Sequence, residues 1–126
     1  MDRNLYIARG YHPETVVMDG YLQVGATGSV TGDVLPYWLK SVVRNSTGNY
    51  TFTCVDNFDA FSWIGFTPVS NNTVETVNWN VETFNAAATG GATFTVQFSV
   101  SGSATDLDNN GGLFVDVHIH NYKYSQ

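Results

Sequence analysis

Apolar and polar residues alternate one by one over much of the second half of this chain. Between Thr93 and Ser101 the apolar set is Phe94, Val96, Phe98 and Val100, while Thr95, Gln97 and Ser99 face the other way. Val77, Trp79 and Val81 alternate with Asn78, Asn80 and Glu82. Leu113, Val115, Val117 and Ile119 alternate with Phe114, Asp116, His118 and His120, and Tyr50, Phe52 and Cys54 with Thr51 and Thr53. A strand sends successive side chains to opposite faces, so each run predicts a strand with one buried and one wet face. Turn residues separate the runs: Asn45-Ser46-Thr47-Gly48, Asn71-Asn72, Gly90-Gly91 and the polar stretch from Ser101 to Gly112. The spacing predicts strands near 38–44, 49–55 and 74–84, with one helical turn over Asp56 to Phe61 capped by Asp56. The chain therefore reads as all-β, an antiparallel β-sandwich or barrel of about seven or eight strands.

The first 36 residues lack this pattern. Gly10, Gly20, Gly25, Gly28 and Gly32 interrupt short apolar stretches such as Val16-Val17-Met18, and Gly25 to Gly32 reads as an extended connection. The expected organisation is an extended N-terminal arm over 1–36, with one or two strands in it, and a β-sandwich domain over 37–126. An ordinary strand and a long loop of the same domain is the alternative for the first segment.

Composition supports the strand reading. Val and Thr supply 30 of 126 residues beside 18 aromatics, the types that suit a pleated, half-buried surface. The length gives room for one domain. Charge narrows the partners: five Lys and Arg against eleven Asp and Glu leave a net charge of −6. So few cations cannot neutralise many phosphates, which argues against nucleic acid and against an anionic membrane surface. No apolar run approaches the ~20 residues of a membrane helix. The opening Met1-Asp2-Arg3-Asn4-Leu5-Tyr6 has no apolar core of a signal peptide. A single cysteine, Cys54, precludes an internal disulfide, and folding in a cytosol is expected.

Two constellations are candidates for metal binding. Asp116, His118 and His120 share one strand face about 7 Å apart, a spacing at which two imidazoles can share an ion. Asp106-Leu107-Asp108-Asn109-Asn110-Gly111 matches the opening of a calcium loop, Asp-x-Asp-x-Asn-Gly, but Val117 stands where the bidentate Glu belongs. The simpler readings are a polar strand face for His118 and His120 and an ordinary loop for Asp106 and Asp108, and no cofactor is expected. Gly112 to His120 also fits the Gly and His-x-His spacing of cupins, without their following Glu or second motif. No nucleophile elbow or phosphate-binding loop is present, and Cys54 sits in a strand pattern as a small apolar residue, so an enzyme is not expected. Trp38, Trp79, Phe58, Phe61, Trp63 and Phe66 are the expected aromatic core. Tyr6, Tyr11, Tyr122 and Tyr124 lie outside the patterned strands and, with Val16 and Val17 of the arm, are the expected partner-binding residues.

Ser41-Val42-Val43-Arg44-Asn45-Ser46-Thr47-Gly48-Asn49-Tyr50-Thr51-Phe52-Thr53 resembles a strand-turn-strand segment of small virion proteins of tailed phages, with the pattern V-x-R-x-x-T-G-x-Y followed by a turn such as Asp56-Asn57-Phe58. Gly112-Leu113-Phe114-Val115-Asp116-Val117-His118 is similar to their final strand, so the resemblance spans about residues 41–120. It implies a structural protein of the particle, a capsid decoration (cement) protein on the virion surface, made in the host cytoplasm. The implied assembly is a homotrimer bound to the major capsid protein, with terminal arms reaching over neighbours and no catalytic residues. The alternative is a trimeric tail-fibre or tail-tip module that binds a receptor or glycan. There the His-x-His would resemble the iron-caging histidines on the threefold axis of some phage tail-tip proteins.

Overall fold

A computed structural model describes residues 16–24, 35–69, 77–107 and 111–120. Eight strands follow in order: β1 (Val16–Gln23), β2 (Leu39–Ser46), β3 (Asn49–Cys54), β4 (Ala60–Val69), β5 (Asn78–Asn85), β6 (Thr93–Val100), β7 (Ser103–Ala104) and β8 (Gly112–His120). They form two antiparallel sheets, packed as a β-sandwich. One has three strands in the order β1-β8-β4; the other has five, in the order β2-β3-β6-β5, with the short β7 paired to β6. No described residue is helical.

The alternation seen in the sequence becomes the core. Phe52 of β3 stacks on Phe94 of β6 at 4.9 Å, and Phe66 of β4 reaches both from the opposite sheet, 5.4 Å from Phe52 and 6.2 Å from Phe94. Tyr50, Val96 and Phe98 from the larger sheet, and Leu22, Leu113, Val115 and Val117 from the smaller, complete the buried layer. Side chains from two inner faces meeting in this way are what hold two sheets together. Trp38, just before β2, is buried and donates its indole N–H to the Asp19 carbonyl at 3.0 Å, tying the edge of β1 to the larger sheet.

Three expectations change. Residues 16–24 are not an arm. β1 pairs with β8 along its whole length and sends Met18 and Leu22 into the core, so for this stretch the ordinary-strand alternative holds. Of the rest of the expected arm, 1–15 and 25–34 lie outside the described residues. The helical turn over Asp56 to Phe61 is absent. There the Phe58 N–H donates to Ala86 O at 2.7 Å and the Asp59 N–H to His120 O at 3.2 Å, so the backbone crosses between sheets by non-helical bonds before β4 begins. Trp63 is not core. A bulge between Phe61 and Trp63 flips the parity of β4, so Phe61, Ile64 and Phe66 point inward while Trp63 points out, 53% exposed. The other expected core aromatics hold: Trp38 and Phe66 are buried, and Phe58, Phe61 and Trp79 pack against the core.

Candidate functional site

The strand that places His118 also places its neighbours. β8 lies between β1 and β4, so its outward residues sit in rows with outward residues of both. The registers give four rows: Val17–His118–Trp63, Asp19–Asp116–Gly65, Tyr21–Phe114–Thr67 and Gln23–Gly112–Val69. Directly opposed outward residues stand roughly 5 Å apart at their β-carbons. The result is a shallow groove of about 670 Å³ on the outside of the smaller sheet, to which Tyr21, Trp63, Phe114, Asp19, Asp116 and His118 all contribute.

Two glycines shape it. A β-carbon on Gly65 would lie 2.7–3.1 Å from Nε1, Cζ2 and Cε2 of Trp63, so the glycine makes room for that edge of the indole. A β-carbon on Gly112 would collide with the Tyr21 ring and hydroxyl. Tyr21 in turn packs against Phe114, with ring centroids 4.8 Å apart. Trp63, Phe114 and Tyr21 are all about half exposed. Between the rings runs a polar row. His118 Nε2 lies 3.2 Å from Asp116 Oδ1, which orients that carboxylate. Asp19 sits opposite Asp116, and among the described residues its carboxylate has no partner.

The sequence placed Asp116, His118 and His120 on one face, and the structure does the same. Among the described residues, however, no three His, Cys, Asp or Glu side chains are grouped to hold a metal ion. Asp106 serves a different purpose. Its two oxygens accept from Arg44 Nε and Nη2 at 2.9 and 3.0 Å, and Oδ1 also accepts from the Gly48 N–H at 2.7 Å. Burial raises the Asp106 carboxyl, but the Arg44 and Gly48 hydrogen bonds outweigh it and hold the group below its ordinary value. The carboxylate thus straps the loop after β7 onto the β2–β3 turn, where Tyr50 Oη accepts from the Leu107 N–H at 3.2 Å. Asp108 lies outside the described residues, as do Tyr6, Tyr11, Tyr122 and Tyr124. Val16 and Val17 are exposed at the start of β1. Cys54 is fully buried, and burial, with a smaller push from Asp56, raises its thiol to about 12, which makes it a poor nucleophile.

Sequence reasoning did not find Asp19, Tyr21 or the outward Trp63. Their signal exists only after pairing, since they are brought together by strands far apart in the chain. Comparison with protein-family models, with curated proteins and with solved structures finds no match to this chain.

Proposed function

We propose that this chain is a structural protein of a tailed-phage particle, a decoration protein that binds the major capsid protein as a homotrimer. One observation supports the reading best. β1 begins beside the end of β8, with Val16 opposite Ile119, so residues 1–15 and 121–126 attach at the same end of the smaller sheet. Val16 and Val17 are exposed there, where the segments that carry Tyr6, Tyr11, Tyr122 and Tyr124 in the sequence attach. Exposed apolar side chains on both faces of the strand end, at the root of two tyrosine-bearing segments, suit attachment to another protein. The polar, nearly uncharged face of the larger sheet suits the side turned to water.

The test is composition of the particle. Mass spectrometry of gradient-purified virions is expected to find the chain at hundreds of copies, scaling with the capsid protein. Its absence from the particle would overturn the reading. Val16→Asp is expected to abolish rebinding to stripped capsids while leaving the melting temperature unchanged. The groove favours a second reading, a receptor- or glycan-binding module of a tail fibre or tail tip, for which the copy number would be a few tens or fewer.

A further inference from the structure

We propose that the outer face of the smaller sheet binds a neutral glycan, seating a pyranose ring on Trp63 while Asp19 and Asp116 accept hydrogen bonds from its hydroxyls. The inference rests on the groove and not on the virion reading, and each can fail without the other.

A sugar ring has two kinds of surface. Its axial C–H bonds make an apolar patch carrying slight positive charge, and its rim is a ring of hydroxyl donors. The first is matched by the negative face of an aromatic ring. The Trp63 indole packs its Nε1–Cζ2 edge against Gly65 and stays about half exposed in the groove, so it is held as a platform without ordering a flexible side chain. Phe114 and the Tyr21 ring extend the apolar surface on the far side of the carboxylates. The hydroxyl rim is matched by acceptors. An ionised carboxylate only accepts, and a hydroxyl donating to it makes one of the stronger hydrogen bonds. Asp19 and Asp116 stand side by side in the row between the platform and Phe114, close enough to take neighbouring hydroxyls of one ring. His118 acts as a positioning residue through its contact with Asp116 Oδ1. The groove volume falls within the ~300–1,000 Å³ typical of small-ligand sites.

The same carboxylates select among occupants. On a chain of net charge −6 they repel sialic acid and uronate sugars. A second copy docked face to face would bring like charges together, and a flat apolar partner would bury carboxylates without counter-charges. A neutral, hydroxyl-rich ligand satisfies both rings and acids.

The test is calorimetric titration of the full chain with cellobiose, lactose and chitobiose, with sialyllactose as the anionic comparator. In parallel the Trp63 indole N–H resonance is followed by nuclear magnetic resonance. Saturable binding tighter than about 10 mM to at least one neutral disaccharide is expected, with the Trp63 resonance shifting and sialyllactose bound more weakly. Trp63→Ala is expected to weaken binding by at least about tenfold, a loss of ~1.4 kcal/mol. The isosteric pair Asp19→Asn and Asp116→Asn, which leaves the platform in place, is expected to weaken it as well. Phe84→Ala, on β5 and outside the groove, is expected to bind as the parent does. No saturable binding to any neutral disaccharide overturns the proposal, as does binding that survives Trp63→Ala. A concentration-dependent dimer that Trp63→Ala dissolves overturns it in favour of a second copy on this face.

Discussion

The two outward faces of this sandwich are built from the same period-two alternation and end in opposite chemistry. On the larger sheet, Thr51 and Thr95 hydroxyls lie 3.2 Å apart, Asn45 donates to Asn49 and Thr51, and Asn49 donates to Glu82 and Gln97. Around Asn49 and Thr51, side chains of that face bond to one another. On the smaller sheet, aromatic rings alternate with carboxylates, and among the described residues the side-chain bond in the groove is that of His118 to Asp116. A face that satisfies its own polar groups offers water a quiet boundary. A face that leaves ring surfaces and acceptors open is one on which a ligand can form contacts not already made. Polarity alone does not separate the two; what matters is where their hydrogen bonds go.

The comparison can be broken from beneath. Phe52→Ala removes the ring that meets Phe94 in its own sheet and Phe66 in the other, and should cost about 3–5 kcal/mol in urea unfolding, loosening both faces together. Gly48→Ala comes next. Gly48 has φ +71, and a β-carbon there would press on the Phe98 and Thr105 carbonyls, so a loss of about 1–3 kcal/mol is expected in the same assay. The larger face is probed by Thr95→Val, which removes the contact between the two threonine hydroxyls while Thr51 keeps its bond from Asn45, and should cost about 1 kcal/mol. Asp106→Asn tests the strap by its pH dependence. The Asp106 carboxyl is lowered in the fold, so its contribution is present above the unfolded value near ~3.9 and is lost as pH falls through the lower folded value. The melting temperature of the variant should therefore sit slightly below that of the parent at neutral pH and converge with it in acid. The smallest effect sharpens the contrast most. Trp63→Ala should change stability by no more than ~0.5 kcal/mol, because a half-exposed ring on the outer face holds no core together.

How far the sequence reached depends on the strand. β3, β6 and β8 carry unbroken alternation, and their buried residues are the ones the pattern named. β4 hides because its bulge changes parity midway: Phe61, Trp63 and Phe66 look like one cluster in sequence, yet the extra residue turns Trp63 outward. β1 hides because Gly20 interrupts its apolar face, for a reason visible only in the fold, where the Pro36 ring occupies the space of a side chain. The groove was half legible. Period two put Asp116 beside His118, but only the register of β1 on β8 puts Asp19 and Tyr21 across from them.

The middle strand of the smaller sheet is also the last described strand of the chain. Among the described strands, β1 and β4 do not pair with one another; each pairs only with β8. As a ribosome makes this protein, both wait as open edges until residue 120 has emerged, and half of the core stays uncovered until then. Closing the sandwich is therefore a late, long-range event spanning about a hundred residues of chain, the kind of pairing that folds slowly. A nascent chain halted before Gly112 would hold the five-stranded layer at most, with its apolar side bare.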